Sequence, residues 1–259
     1  MAKIGNYTIL EQIGEGGFGR TYKAQHLLLP SIYACLKQNI NITKDDQKIL
    51  EKEATLLSQI SHYSLPTFRD YYCVTDGDGL ESYVLAMSFV EGKNLQKSVE
   101  KHKAINPEDV AWMTQRLLNA LFYLHNNGIV HGDIKPNNII VQPQKHNALL
   151  VDFGLSSYKP NAKTKADGYT PIFVAPETTS GKPPIPESDL YGLALTMMYT
   201  LGGDPIAKTM PSHVPKSLQE FFLNMAKYNP LERPTWENGD LIARLSDVRQ
   251  ESFGRRSST

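Results

Sequence analysis

The sequence predicts an α+β fold, in which a small antiparallel sheet with one helix is followed by a mainly helical region. Two patterns support this class. Residues 5–90 alternate apolar and polar side chains, as half-buried strands do. Residues 92–259 instead carry apolar side chains at helical spacing, between clear start and stop signals. A chain of 259 residues can bury a sizeable core, either as one unit or as two lobes.

A glycine-rich turn joins the first two predicted strands, residues 7–10 and 21–24. Residues 13–19 read Ile-Gly-Glu-Gly-Gly-Phe-Gly and fit G-x-G-x-x-G, whose glycines let the backbone approach phosphate oxygens closely. A dinucleotide-binding turn would lead into a helix and reach an acidic residue about 20 positions later. Here a strand follows and residue 39 is Asn, which argues against a dinucleotide. The pattern alone still allows a glycine-rich hairpin without a ligand.

Lys37 and Glu53 are predicted to form a buried ion pair. Lys37 ends an apolar strand, and the helix after it begins at Thr43, a suitable N-cap. The apolar stripe of this helix comprises Ile49, Leu56, Leu57 and Ile60. Glu53 falls on the same stripe, where a carboxylate is costly unless a cation such as Lys37 pairs with it. The alternative is an exposed Glu53 and a lysine that extends to water.

Helix signals dominate the rest of the chain. The pair Asn106-Pro107 is a strong helix start, and this helix is predicted to end at Gly128. Three further helices are predicted at residues 188–201, 218–228 and 240–248. Between the first two helices, residues 139–141 and 149–151 are predicted to form a short hairpin. The residues that flank this hairpin would therefore lie side by side.

The stretch of residues 131–138, His-Gly-Asp-Ile-Lys-Pro-Asn-Asn, is the most informative part of the sequence. It places Asp133, Lys135 and Asn138 within six residues, and Asp152 lies at the other end of the predicted hairpin. Phosphoryl transfer needs a carboxylate for the proton of the attacking hydroxyl, oxygen ligands for a metal ion and a cation for the transferred phosphate. These four side chains can supply all three.

With these motifs in this order, the chain resembles the catalytic domain of eukaryotic-type (Hanks-type) serine/threonine protein kinases from about residue 7 to 248. The resemblance implies a bilobal protein-kinase-like fold for residues 1–259, with an N-lobe of about 1–90 and a C-lobe of about 91–259. The sequences of the glycine loop (residues 13–19) and of the catalytic loop (residues 131–138) are similar to those of bacterial, in particular cyanobacterial, kinases.

The resemblance also implies transfer of the γ-phosphate of Mg-ATP to a Ser or Thr hydroxyl of a protein. The implied catalytic residues are Lys37, Glu53, Asp133, Lys135 and Thr170. The implied ligands of Mg²⁺, with Mn²⁺ as an alternative, are Asn138 and Asp152. The implied ATP-binding residues are Ile13, Gly14, Gly16, Gly17, Phe18, Gly19, Thr21, Cys35, Lys37, Met87, Ser88, Val90 and Ile140. Asp133 would be the catalytic base. Thr170 would bond Asp133 and Lys135, an arrangement that favours Ser/Thr over Tyr.

Three later residues are implied to stabilise the helical lobe. Glu177, in the tripeptide Ala-Pro-Glu, would form an ion pair with Arg233. Asp189, in the first turn of a helix, would brace the backbone of the catalytic loop.

Gly132 is a departure from the family pattern, because it replaces the Arg that commonly precedes the catalytic Asp. That Arg usually pairs with a phosphorylated activation loop, so ordering of residues 155–170 by phosphorylation is not expected in this non-RD variant. Thr21 and Cys35 stand where Val and Ala are usual, and both are small enough to leave the ATP pocket open.

Two rival functions stay open at this point. Small-molecule phosphotransferases similar to aminoglycoside and choline kinases carry a similar His-Gly-Asp loop, although Lys135 and residues 169–177 favour a protein substrate. A pseudokinase that acts as an ATP-binding scaffold would usually lack the lysine, the base or the metal-binding Asp, and all three are present here.

Composition limits the partners and the location. Lys plus Arg and Asp plus Glu each number 27, so a net charge of zero indicates no nucleic-acid partner. The sequence has no signal peptide and no apolar run of membrane-spanning length. Two cysteines, Cys35 and Cys73, are too few for a disulfide framework and indicate a reducing, cytoplasmic setting.

Overall fold

Residues 2–16, 19–39 and 44–256 are described by the computed structural model. They divide into two units, Met1–Glu91 and Gly92–Thr259. The first is mainly sheet and the second mainly helix, which confirms the predicted α+β class.

The first unit is built on an antiparallel sheet of six strands in the order β1-β2-β3-β4-β6-β5. The strands are β1 (Lys3–Ile4), β2 (Tyr7–Gly16), β3 (Gly19–His26), β4 (Tyr33–Gln38), β5 (Phe68–Thr75) and β6 (Glu81–Ser88). One face buries a cluster of apolar side chains from Tyr7, Ala24, Ala34, Leu36, Val84 and Ala86. The alternation of side chains along each strand leaves the residues between these for the opposite face.

Helix α1 (Lys44–Ser58) packs against β5 and β6. Leu56 and Leu57 are buried, as the apolar stripe predicts. Ile60 is buried as well, but it lies beyond the end of the helix, so its assignment to the helical stripe was wrong. The predicted N-cap, Thr43, lies outside the described residues.

The helices of the second unit are α2 (Leu95–His102), α3 (Pro107–Asn126), α4 (Pro176–Thr179), α5 (Pro186–Thr200), α6 (Lys216–Met225) and α7 (Leu241–Phe253). The start of α3 is confirmed, because the Asn106 side chain accepts a hydrogen bond from the Glu108 amide at 2.9 Å. Helix α5 is buried on every side, with Leu190, Leu193 and Met197 all inaccessible to solvent. None of the described helices is long and apolar enough to span a lipid bilayer.

The predicted bounds of three helices were wrong by a few residues. Helix α5 begins at Pro186 rather than 188, since proline fits the first helical position. Helix α6 ends at Met225 rather than near 228. Helix α7 continues beyond 248 to Phe253, where Gly254 with φ of 74° ends it. Helices α2 and α4 had not been predicted as separate elements.

Short strands complete the second unit. The predicted hairpin is present as β9 (Ile139–Gln142) and β10 (Asn147–Leu150), although its second strand runs from 147 to 150 rather than from 149 to 151. Strand β7 (Lys93–Asn94) adds a third strand to it. A separate pair joins β8 (Ile129–Val130) to β11 (Ser157–Tyr158). The Val151 amide donates to the Asn138 carbonyl oxygen at 2.9 Å, so the two ends of the hairpin meet.

Candidate active site

In the second unit, the side chains of Asp133, Lys135 and Thr170 contact one another. The Lys135 Nζ lies 2.7 Å from Asp133 Oδ2 and donates to Thr170 Oγ1 at 2.8 Å. The Thr170 hydroxyl in turn donates to Asp133 Oδ1 at 2.7 Å. Each member therefore contacts the other two; the resemblance implied the two contacts of Thr170, and the structure adds the one between Lys135 and Asp133. This closed triangle fixes the direction of the Asp133 carboxylate, which a base needs in order to meet a hydroxyl at a defined place.

Asn138 is held to the same carboxylate from the other side. Its Nδ2 donates to the carbonyl oxygen of Asp133 at 2.9 Å and to Asp133 Oδ2 at 3.0 Å. Because the amide nitrogen faces Asp133, the amide oxygen of Asn138 points away from it. An oxygen in this position is suited to bind a hard cation.

Asp152 has a strained backbone. Its φ of 68° lies in the left-handed region, which a residue with a Cβ rarely adopts. Such strain persists only where the surroundings impose it, and it is concentrated at functional sites. Asp152 follows Val151, whose amide is bonded to the carbonyl of Asn138, so the backbone holds the two predicted metal ligands near each other.

Asp189 braces the backbone of the catalytic loop, as predicted. Its Oδ2 accepts the amide of His131 and its Oδ1 accepts the amide of Gly132, both at 2.8 Å. The His131 side chain is fully buried, and burial lowers the pKa of its imidazole against the attraction of Asp189 and Asp133. The Nδ1 of the ring accepts a hydrogen bond from the Asp133 amide at 3.3 Å.

Gly132 has a backbone that disfavours any other residue. Its φ is 80°, and a Cβ at this position would lie 2.9 Å from the carbonyl oxygen of Leu155. From the sequence alone, Gly132 was interpreted only as a missing Arg. The structure adds that this turn of the loop uses a conformation in which glycine is the least strained residue.

Glu177 and Arg233 form the predicted ion pair. The guanidinium donates to both carboxylate oxygens, at 2.6 and 2.8 Å, and both side chains are buried. The Ser188 hydroxyl adds a third hydrogen bond at 2.7 Å. Burial alone would raise the pKa of Glu177, but the hydrogen bonds from Arg233 and Ser188 outweigh it and hold the pKa below its ordinary value.

In the first unit, Lys37 and Glu53 pair as predicted. The Lys37 Nζ donates to Glu53 Oε2 at 2.7 Å, and both residues are buried. Lys37 on β4 and Glu53 on α1 therefore place two opposite charges next to each other in the interior of the first unit.

Four of the predicted ATP-binding residues share one face of the six-stranded sheet. Neighbours across antiparallel strands point to the same face, and the register pairs Thr21 with Lys37 and Cys35 with Met87. Cys35 and Lys37 are two positions apart on β4, so they also share a face. This face is opposite to the one that buries Leu36 in the apolar cluster.

The described part of the predicted glycine loop lies at the end of β2 and the start of β3, where Gly16 pairs with Gly19. At Gly19 the φ is 143°, and a Cβ would collide with the carbonyl oxygen of Gln38, so only glycine fits. Gly17 and Phe18 lie outside the described residues.

The remaining predicted ATP-binding residues are dispersed over several elements. Ile13 and Gly14 lie on β2, Ser88 ends β6, Val90 follows it and Ile140 lies on β9. The Ser88 amide already donates to the carbonyl oxygen of Thr67 at 2.8 Å. Any contact between the backbone of Ser88 and a ligand would therefore have to use its carbonyl.

Comparison with known proteins identifies the family. The model of the protein kinase domain matches residues 7–242. The chain belongs to the protein kinase family. The kinase domain is 32% identical over 219 residues to serine/threonine-protein kinase F of Synechocystis, which covers 77% of this chain and 44% of that protein. It is 32% identical over 216 residues to kinase D of the same organism, covering 76% of this chain and 41% of that protein.

A third relative is serine/threonine-protein kinase PknA of Nostoc, 28% identical over 214 residues, which are 76% of this chain and 37% of that protein. The chain thus spans less than half the length of these curated relatives. Its resemblance is to the serine/threonine kinases of the family, as predicted from the motifs, and the family generally uses ATP and Mg²⁺.

The donors of the kinase domain fit such a metal ion. Within the described residues, no three His, Cys, Asp or Glu side chains cluster as a self-sufficient metal site. Asn138 and Asp152 together offer an amide oxygen and a carboxylate, which suit Mg²⁺ when phosphate oxygens and water complete its coordination.

The sequence did not predict two residues that lie behind Asp189. His125 Nε2 lies 2.8 Å from Asp189 Oδ2, and Trp236 Nε1 lies 2.8 Å from His125 Nδ1. His125 lies on α3 and Trp236 lies in the connecting segment before α7, and neither belongs to a recognised motif. No signal in the sequence could have paired them, because their contact is produced only by the packing of the fold.

Proposed function

We propose that this chain is an ATP-dependent protein kinase that transfers the γ-phosphate to Ser or Thr hydroxyls of a protein substrate. The observation that carries the proposal is the triangle of Asp133, Lys135 and Thr170, which orients a carboxylate beside an ammonium group. A carboxylate so held can accept a proton, and a cation next to it can stabilise a phosphoryl group.

In the proposed reaction, the substrate oxygen forms a bond to the γ-phosphorus and the bond from that phosphorus to the ADP oxygen breaks. The hydroxyl proton passes to Asp133. Lys135 stabilises negative charge on the transferred group. Thr170 is hydrogen-bonded to both Asp133 and Lys135 and holds the two side chains in place.

Asn138 and Asp152 are proposed to hold Mg²⁺, or Mn²⁺, which when bound neutralises charge on the phosphate oxygens. Lys37, held by Glu53, is proposed to bind the α- and β-phosphates. The shared face of Thr21, Cys35 and Met87 supports an adenine site on the sheet.

Further proposals concern the regulation of this activity, the extent of the kinase domain and its location. We propose that phosphorylation of residues 155–170 is not required, since Gly132 supplies no cation to pair with a phosphate. We also propose that residues 1–259 act as one kinase domain with lobes of about 1–90 and 91–259, in the cytoplasm. Cys35 and Cys73 are not joined in a disulfide, which supports a reducing compartment.

The test is phosphoryl transfer by the purified chain with Mg²⁺, labelled ATP and a generic Ser/Thr protein acceptor. Asp133→Asn should lower the transfer rate by at least about 100-fold, because it removes the base and keeps the shape. Asp78→Asn, the same chemical change at an exposed turn, should leave the rate unchanged. Label that appears equally with Asp133→Asn would contradict the assignment of the base.

Asp152→Ala tests the metal assignment. It should abolish transfer while the circular dichroism spectrum stays that of a folded protein, and normal turnover by the folded variant would contradict the assignment. A thermal-shift measurement with Mg-ATP separates the rivals: stabilisation of the wild type without transfer to protein would favour a pseudokinase or a small-molecule phosphotransferase.

A further inference from the structure

A line of three buried or half-buried side chains ends on the backbone of the catalytic loop. Trp236 Nε1 donates to His125 Nδ1 at 2.8 Å, and His125 Nε2 lies 2.8 Å from Asp189 Oδ2. The same Asp189 carboxylate accepts the amides of His131 and Gly132, which immediately precede Asp133. The side chains of His125 and Asp189 are only 2% and 1% exposed.

The indole of Trp236 determines which ring nitrogen of His125 carries the proton. An indole N–H can only donate, so His125 Nδ1 must present a lone pair to Trp236. The ring proton is then on Nε2, from which it is donated to Asp189. A second proton on Nδ1 would face the indole N–H and break that contact. Trp236 therefore selects the neutral Nε2–H form of His125.

We propose that Trp236 is a positioning residue for phosphoryl transfer, acting through His125 on Asp189. With the tautomer fixed, Asp189 Oδ2 receives one N–H from His125 and one from the His131 amide, while Oδ1 stays directed at the Gly132 amide. The carboxylate is thereby held in one orientation, and with it the backbone that leads into Asp133. This proposal rests on the proposed function, because it concerns the placement of the proposed base.

Trp236 is itself held from a second side. Its ring packs edge-on against Phe122 of α3, with ring centroids 5.3 Å apart. Phe122 and His125 are three residues apart on that helix, so they lie on the same side of it. The indole is thus fixed by one aromatic contact and one hydrogen bond, and its N–H has a defined direction toward His125.

The chain supplies a matched control, since it contains only two tryptophans. Trp112 Nε1 also donates one side-chain hydrogen bond, to Asp109 Oδ1 at 3.0 Å in the first turn of α3. Trp236→Phe and Trp112→Phe therefore remove the same donor and keep an aromatic ring. Only the first breaks the line of contacts that leads to the catalytic loop.

Three readouts are compared in the two variants and the wild type. The ¹⁵N shifts of His125 should report an unprotonated Nδ1 in the wild type and in Trp112→Phe, and a mixture of forms in Trp236→Phe. Hydrogen exchange of the His131 and Gly132 amides should accelerate about tenfold in Trp236→Phe alone. In the same variant kcat should fall about tenfold, with KM for ATP within about twofold of the wild type.

The outcomes separate this proposal from the proposed function. If Trp236→Phe lowers thermal stability but leaves the amide exchange of His131 and Gly132 and the kcat unchanged, Trp236 has only a structural role and the proposal is overturned. A protonated His125 Nδ1 in the wild type would overturn it as well. If the wild type transfers no phosphate, the proposed function fails, and the ¹⁵N and exchange data still decide whether Trp236 orders the loop.

Discussion

Burial separates the ion pairs of this kinase domain into two groups. Lys37–Glu53 and Glu177–Arg233 are buried, whereas the Arg256–Asp247 pair has side chains that are 70% and 66% exposed. Exposed pairs contribute about 0–1 kcal/mol to stability, but removing one partner of a buried pair costs about 3–5 kcal/mol. Substitution of a member of either buried pair should therefore have a measurable effect on stability.

Glu53→Gln should weaken both stability and activity. The change removes the Glu53 carboxylate from the buried ammonium of Lys37, so the free energy of unfolding in urea should fall by about 3 kcal/mol. Because Lys37 would also lose its fixed position, kcat/KM for ATP should fall about 100-fold. Glu51→Gln is the control, since Glu51 is exposed on the same helix. Equal effects of the two changes would rule out a special role for the pair.

Glu177 should make stability depend on acid pH. Its pKa is held below the ordinary value by Arg233 and Ser188, so the folded state binds the proton less readily than the unfolded chain. The stabilisation is therefore complete above about pH 4.3, the ordinary pKa of a Glu, and is lost as the pH falls through the lower folded pKa. Urea unfolding between pH 3 and 6 should show this loss in the wild type.

The matched variants for that measurement are Glu177→Gln and Glu220→Gln. Glu177→Gln should be less stable at pH 6 and should lose less stability on acidification, because the titrating group has been removed. Glu220 is exposed on α6, and its replacement should leave the wild-type pH dependence intact. A Glu177→Gln curve parallel to that of the wild type would show that other groups cause the acid loss.

At the level of elements, the turn at Gly132 has a positive φ and lies directly before the proposed base, Asp133. A residue with a Cβ at a positive φ costs about 1–2 kcal/mol, and at Gly132 that Cβ would also press on the Leu155 carbonyl. Gly181 has a similar φ of 73° but no atom within 4 Å of the position of a Cβ. The two glycines therefore share the conformational cost and differ in the contact.

Gly132→Ala and Gly181→Ala should consequently diverge in activity. Gly181→Ala should lower the free energy of unfolding by about 1–2 kcal/mol, and Gly132→Ala should lower it further, because its Cβ also presses on the Leu155 carbonyl. Only Gly132→Ala should lower kcat, by about tenfold, because the loop must shift away from Leu155 and carry Asp133 with it. Chemical denaturation and steady-state kinetics measure the two effects. A Gly132→Ala variant with full activity would show that the loop tolerates the shift.

The elements that could be predicted from sequence are those with local signals. Asn106 and Pro107 fix the start of α3 through a cap that involves neighbours in the chain. The ends of α6 and α7 were misplaced because packing and the Gly254 turn, rather than periodicity, decide where they stop. Helix α2 was not predicted as a separate element although Asn94 caps it, since its eight residues are too few to repeat the buried positions Leu95 and Val99.

For the molecule as a whole, the side-chain contacts that were predicted are those between residues of recognised motifs. The contacts of Asp133, Lys135 and Thr170 were predicted because their spacing resembles a known family. The contact between His125 and Trp236 was not predicted, because it depends on how a connecting segment packs on α3. Neither hydrophobic periodicity nor a motif predicts contacts of that kind, and they are seen only in the structure.

The net charge of zero predicts weak colloidal stability near neutral pH, because chains without net charge do not repel each other. The loop between β3 and β4 adds to this tendency, since it exposes Leu27, Leu28 and Leu29 in succession, with Leu28 85% exposed. His26 Nδ1 accepts the amides of Leu28 and Leu29, which holds the leucines outward.

Leu28→Glu should therefore raise the solubility limit at pH 7, measured by polyethylene glycol precipitation, and leave the unfolding free energy within about 0.5 kcal/mol of the wild type. Leu231→Glu is the control, because Leu231 is 91% exposed and the charge change is identical. If net charge alone limits solubility, the two variants should improve equally. A larger gain for Leu28→Glu is expected, because it also interrupts the row of three leucines. An equal gain would contradict a role for the loop.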